Sequence, residues 1–251
     1  MKISKKSRLT IALFIIPALF VYIMWVIYPI IDAVRESFYK TETLMSSHFT
    51  GLDNYVRVFT SALFWKSMKV SLIFIAGTTV LQVLLGFLFG YLVYLQLKGH
   101  QIYKTLLFLP NILPSVATGF IWSYIYSPSM GLLKPFMEAV GLGEYYASPI
   151  ADPSKALYAV IFASVWAGVG TQIILFNSGF MSIPSEVIES AKLDGATGWK
   201  MIRTMIIPLS WDVIKMVIIL QTIGALRSFD LIYVMTSGGP NHSTEVLPMH
   251  L

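Results

Sequence analysis

The sequence predicts an all-α bundle of membrane-spanning helices, and three observations carry that prediction. Apolar residues make up 56% of the 251 residues and charged residues only 12%, against about 45–50% and about 25% in a soluble domain. Mean hydropathy is +0.70, whereas a soluble fold of this length needs far more polar surface to cover its core. Four long stretches contain no Asp, Glu, Lys or Arg, and each has the roughly 20 residues needed to cross a hydrocarbon core about 30 Å thick. The same composition excludes an ordinary soluble enzyme, and also a disordered chain, which would be poor in apolar and aromatic residues. With no cysteine, disulfides, thiolate metal sites and cysteine nucleophiles are excluded. The net charge of +5 is too small and too dispersed for a nucleic-acid surface.

The first predicted span covers about 11–31 and follows Lys2, Lys5, Lys6 and Arg8. It is longer than a signal-peptide core of about 7–15 residues. No small-residue cleavage site follows it, only Tyr28-Pro29-Ile30-Ile31-Asp32, so it reads as a retained helix. In the next polar stretch, Val56, Phe59 and Leu63 are spaced i, i+3, i+7, with Phe64 beside the last. That spacing predicts a short amphipathic helix at the membrane interface. The second span, about 70–97, contains Gly86 and Gly90 in a GxxxG spacing, which lets two helix backbones approach closely. The third, about 105–127, contains Pro110 and Pro114, either a kink for packing or a flexible element lining a path. Proline and glycine break up the loop after it, and the fourth span covers about 156–178. The fifth, about 210–234, carries Asp212 and Lys215 near one end and Arg227 and Asp230 near the other. The chain reads as one domain over 1–251, without internal repeat or low-complexity tract.

Gln172, Asn177 and Gln221 lie inside predicted spans and cannot hydrogen-bond to lipid. They either bond between helices or line a polar path. Arg227 and Asp230, three apart, can pair on one helix face or snorkel. Orientation follows the basic residues. With the N-terminus inside, inner segments hold nine Lys and Arg in 48 positions and outer segments seven in 77. That bias places the N-terminus on the cytoplasmic side.

The inner stretch 179–209 is too long to be a bare connection. Pro184 suits the first turn of a helix, and Glu186 lies near its positive end. Asp194-Gly195 makes a stop, with Gly195 free to take a positive φ. Thr197 can cap a second short helix over 198–204. Two short helices around a glycine elbow suggest a soluble partner on the inner face.

These residues resemble a known pattern. Permease subunits of binding-protein-dependent ABC importers carry Glu-Ala-Ala, three residues, Gly, nine residues, then Ile-x-Leu-Pro. The chain has Glu189-Ser190-Ala191, three residues, Gly195, nine residues, then Met205-Ile206-Ile207-Pro208. Spacing matches throughout, with conservative departures at Ser190, Met205 and Ile207. Phe229–Pro240 with Ser243-Thr244-Glu245, Trp166-Ala167-Gly168, and Leu109-Pro110 with Pro114 resemble the carbohydrate-uptake branch, of the sugar or glycerol-phosphate type.

The resemblance implies a type I importer permease fold in a bacterial inner membrane, coupled mechanically to ATP hydrolysis in other subunits. The implied partners are a second permease, two cytoplasmic ATPases and an external solute-binding protein. Glu189, Ala191, Asp194, Gly195 and Pro208 are the implied ATPase-coupling residues. Gln172, Gln221 and Arg227 are candidates for a sugar path, since hydroxyl-rich solutes need amide and charged partners. The chain has no G-x-x-x-x-G-K-[ST] loop, and Gly168-Val169-Gly170 lacks the third glycine of a dinucleotide site, so no cofactor is expected. His48, His100, His242 and His250 are scattered, with no metal or nucleophile arrangement. A self-sufficient carrier or channel would show more helices, or a repeat with embedded ionisable residues. Family members continue into a sixth helix where this chain stops at Pro248–Leu251, so five of six spans are expected here.

Overall fold

A computed structural model of the chain describes residues 5–43 and 46–250. Lys2 lies outside the described residues, as do the side chains of Lys5, Lys6 and Arg8. The chain forms two compact units, Met1–Phe64 and Trp65–Leu251.

In the first unit, α1 (Lys5–Tyr22), a π turn (Ile23–Ile27) and α2 (Tyr28–Glu36) form one run. Its apolar part, Leu13–Glu36, is long enough to cross a bilayer. A hairpin follows that was not expected: β1 (Tyr39–Thr43) pairs antiparallel with β2 (Ser46–Phe49). Tyr39 stands opposite Phe49 with ring centroids 5.4 Å apart, a cross-strand aromatic pair that favours pairing. Next comes α3 (Asp53–Thr60), the anticipated amphipathic helix. It stops one turn early, because Ser61 is extended (ψ 120°), so Leu63 belongs to the following helix.

That helix, α4 (Ala62–Tyr94), has 33 residues and passes from the first unit into the second. It begins well before the expected position 70, with Lys66 and Lys69 inside it. In the second unit α5 (His100–Phe108) and a 3₁₀ turn (Leu109–Ile112) lead to α6 (Ser115–Ile125). The stretch 105–127, expected as one span, is therefore two helical pieces bent by 101°. The cause is local: Pro110 sits in the 3₁₀ turn, and Leu113 before Pro114 is held extended at ψ 135°, as the residue preceding a proline prefers.

A short α7 (Leu133–Ala139) precedes α8 (Ala156–Met181), which packs against α5, α6, α12 and α13. The segment expected to face the inner side holds α9 (Ser185–Leu193), α10 (Gly198–Met201), a π turn (Ile202–Ile206) and α11 (Ile207–Leu209). A 72° bend separates α11 from α12 (Trp211–Leu226). The expected fifth span, 210–234, breaks at Arg227–Phe229 into α12 and α13 (Asp230–Thr236), and α14 (Leu247–His250) follows. Among the described residues three helices are long and apolar enough to cross a membrane alone, and up to five spans result if each bent pair counts as one.

The two larger of three hydrophobic clusters organise the second unit. One gathers Val70, Phe74, Trp122, Val160, Ala163 and Ile232 between α4, α6, α8 and α13. The other joins Phe176 and Phe180 of α8 and Val217 of α12 to Ile188, Ala191 and Ile206 of the inner segment. The Gly86 and Gly90 spacing serves close packing. A β-carbon on Gly86 would stand 2.5 Å from Gln172 Cβ, and one on Gly90 2.9 Å from Phe176 Cβ. Both contacts lie on α8, so the two glycines are what lets α4 and α8 touch.

Candidate functional site

The inner segment is shaped by one helix ending. Pro184 precedes α9 as its N-cap, with ψ 135°. At the other end Gly195 takes φ +77°. Its N–H donates to Lys192 O at 3.0 Å, and the Ala196 N–H donates to Ala191 O at 2.9 Å. That bond pair is a Schellman closure, with Ala191 and Ala196 as the apolar pair that accompanies it. Both alanines are buried in the cluster that reaches Phe176, Phe180 and Val217. Ala191 thus faces the bundle rather than the surface.

The outer face is different. Glu189 and Asp194 are exposed. Leu193 is 90% exposed and Trp199 70%. Sequence reasoning passed over both, although two large apolar residues flanking Asp194-Gly195 in a polar loop were a usable signal. Thr197 is the N-cap of α10 by backbone (φ −128°, ψ 159°), but its side chain makes no cap hydrogen bond. Pro208 lies in the first turn of α11, directly after the π turn.

A second site lies among α4, α6, α8 and α12. Gln172 Nε2 donates to Gln82 Oε1 at 3.0 Å and to Gln221 Oε1 at 2.6 Å. Gln82 Nε2 donates to Ser164 O at 2.9 Å. Three glutamines on three helices thus form one chain of hydrogen bonds. Gln82 was missed, yet it is a lone amide in an uncharged run and the reasoning that singled out Gln172 applies to it equally.

Beside this chain is a cavity of about 250 Å³ lined by Gln82, Asn111, Thr118, Ser164, Gln221 and Ser228, with Phe74 and Leu231 as apolar wall. Asn111 Oδ1 accepts from Thr171 Oγ1 at 2.9 Å. Two lining hydroxyls, Thr118 Oγ1 and Ser164 Oγ, are buried and have no hydrogen-bond partner among the described residues. Thr118 is fully buried.

Gln221 lines the cavity, while Gln172 stands behind it and holds Gln221. Arg227 is exposed where α12 ends, next to the lining residue Ser228. The helix break means Arg227 and Asp230 are not on one helical face. Asp230 instead accepts from Ser115 Oγ at 3.4 Å. Asn177 lines a separate cleft, with Gln96, His100, Gln101 and Lys104.

At the far end of the bundle, the segment after α13 is tied to α4. Leu247 N–H donates to Ser71 Oγ at 2.8 Å, and Lys66 Nζ to Asn241 O at 2.7 Å. Glu245 accepts from Ser67 Oγ and hydrogen-bonds with both His242 and His250. Burial alone would raise its pKa, but the two histidine contacts outweigh burial and hold the carboxyl below its usual value.

The family model described as "Binding-protein-dependent transport system inner membrane component" matches residues 82–248. A probable ABC transporter permease protein of Pyrococcus horikoshii is 31% identical over 242 residues, covering 96% of this chain and 83% of that protein. The trehalose/maltose transport system permease protein MalF of Thermococcus litoralis is 30% identical over 233 residues, covering 92% and 78%. Among solved structures, a chain of a bacterial alginate ABC transporter, in complex with an alginate pentasaccharide-bound periplasmic protein, matches with TM-score 0.81. That match, at 20% identity, covers 96% of this chain and 80% of the other, and it shows the fold, that of a type I ABC importer permease.

Proposed function

The chain belongs to the family of inner-membrane components of binding-protein-dependent transport systems, and from that premise we propose that it forms half of the path of an ATP-driven importer for a sugar or a related polyhydroxy solute. The relatives' names support the solute class, since they include a trehalose/maltose permease and an sn-glycerol-3-phosphate permease. A second permease, two cytoplasmic ATPases and an external binding protein complete the assembly. ATP hydrolysis belongs to the ATPases, and this subunit supplies the mechanical link.

One observation carries the proposal: the outer face of α9 and α10 presents Leu193 and Trp199, while the inner face is packed onto α8 and α12. Leu193 and Trp199 are the apolar anchors for the ATPase, with Glu189 and Asp194 as the charged rim. When the ATPases close, the docked α9 moves. Ile188, Ala191 and Ile206 transmit that movement to Phe176, Phe180 and Val217. The same two helices carry Gln172 and Gln221, so displacement at the inner end reaches the cavity wall. In the cavity the unpaired hydroxyls of Thr118 and Ser164 and the amides of Asn111 and Gln221 meet solute hydroxyls, each of which both donates and accepts. Arg227 acts at the cavity mouth beside Ser228.

The test uses the assembled transporter. Leu193→Asp with Trp199→Asp should weaken ATPase association by about 2 kcal/mol, roughly thirtyfold, with the subunit still in the membrane. Thr118→Val keeps shape and removes one hydrogen bond, about 0.5–1.5 kcal/mol. It should raise the solute concentration for half-maximal uptake severalfold and leave ATPase association unchanged. Normal association of the double variant would remove the docking assignment, and normal uptake by Thr118→Val would remove the cavity assignment.

A further inference from the structure

The first unit holds an amphipathic helix that the transport path does not use. Leu52, the N-cap of α3, shares one face with Tyr55, Val56 and Phe59 within it, while Asp53 lies at the edge of that face and Arg57 on the other side. The apolar face is open: Leu52 is 63% exposed, Val56 58% and Phe59 56%, even with the Phe59 ring edge-on to Phe64 at 5.7 Å. The polar flank is tied down. Asn54 Nδ2 donates to Ser37 O and to Tyr39 O, both at 2.9 Å, and Tyr55 OH shares a 2.7 Å hydrogen bond with Ser37 Oγ. Ser37 caps α2 and closes the apolar run Leu13–Glu36. Asn54 and Tyr55 therefore hold α3 at the level where that run ends. One residue after α3, α4 opens the next apolar run, Ala62–Tyr94.

We propose that α3 lies flat in the bilayer interface, with Leu52, Val56 and Phe59 among the acyl chains and Asp53 and Arg57 in the headgroup layer. The occupant of the exposed face is lipid, because the hydrogen bonds to Ser37 and Tyr39 place it at the boundary of a span. A helix so placed sinks its apolar face about 5–10 Å below the headgroups. It fixes the depth of the first span, much as interfacial anchors fix tilt and rotation. Nothing in this depends on which solute crosses or where.

The chain has no cysteine, so single reporters can be placed without background from it. Val56→Cys and, as control on the opposite face, Arg57→Cys are each labelled with bimane in the assembled transporter in lipid nanodiscs. Quenching is read with a lipid carrying a nitroxide near its headgroup and with aqueous iodide. The expected result is lipid quenching at Val56 about threefold or more above that at Arg57, with the order reversed for iodide, as the interfacial depth requires. Leu52→Cys should repeat the Val56 result, which guards against a local effect of one label. Lipid quenching at Val56 no greater than at Arg57 overturns the proposal. In that case strong iodide quenching at Val56 would mean an open water-facing helix, and weak quenching by both agents would mean a protein partner on this face.

Discussion

Gly195 shows how a single backbone angle supports a surface. Its φ is +77°, and nothing lies within 4 Å of the position a β-carbon would occupy. Any cost of a side chain there is therefore conformational, about 1–2 kcal/mol for an ordinary residue and more for a β-branched one. Gly195→Val should leave the bundle in the membrane but loosen the closure at Ala191 and Ala196, and ATPase pull-down should fall. Gly195→Asn, which tolerates the left-handed region, should retain most of it. Equal association for all three forms would make Gly195 an ordinary loop residue. Glu189→Lys should lower association less than loss of Leu193 and Trp199, because a rim charge acts mainly on encounter rate. Glu245 makes a prediction with pH. Its folded pKa is depressed, so its contribution to holding the segment after α13 is present above its unfolded pKa. That contribution is lost as pH falls through the folded value, which lies below the usual carboxylate range. Hydrogen exchange at the Leu247 N–H should speed up in that acid range in the wild type, and Glu245→Gln should abolish the pH step. A step that survives in Glu245→Gln would assign it to another group.

Among the elements, the α4–α8 contact is the most exacting. Gly86 and Gly90 leave no room for a side chain against Gln172 and Phe176. Gly86→Leu should separate the two helices and break the Gln82–Gln172 bond. Overpacking of this kind costs about 1–3 kcal/mol, before the loss of buried amide bonding is added. A lower melting temperature in detergent, together with reduced uptake, is the expected outcome. An unchanged melting temperature would mean that α4 and α8 do not meet at this position. The bend between α5 and α6 follows from Pro110 and Pro114, and it delivers Asn111 and Thr118 to the same cavity from two sides of one break.

For the whole molecule, the proposal sets a direction across the membrane. It puts the coupling face and the N-terminus on the cytoplasmic side, a placement that the excess of basic residues in segments 1–10, 98–104 and 179–209 supports. Ser185→Cys in intact cells should react with a membrane-impermeant maleimide only after the membrane is opened. Labelling from outside would invert the topology and detach the ATPases from α9. The division of labour between the two ends follows from α8 and α12, which touch the inner segment through one cluster and the polar cavity through Gln172 and Gln221.

The sequence by itself determined what depends on neighbours within a few residues. The uncharged runs mark the helices, the Gly86–Gly90 spacing marks a close contact, and Pro184 and Asp194-Gly195 bound α9, because length, period and allowed φ act locally. Tertiary structure alone decided which residues those contacts bring together. Gln82, Gln172 and Gln221 lie on three different helices, and no local rule says that their amides meet. The empty hydrogen-bonding capacity of Thr118 and Ser164 and the exposure of Leu193 and Trp199 depend on how helices rotate about their axes when the bundle packs. The tether from Asn54 to Ser37 depends on an unexpected hairpin between them. Arg227 and Asp230 separated for the same reason: the packing of α13 against α6 replaced a straight helix, whose spacing would have paired them.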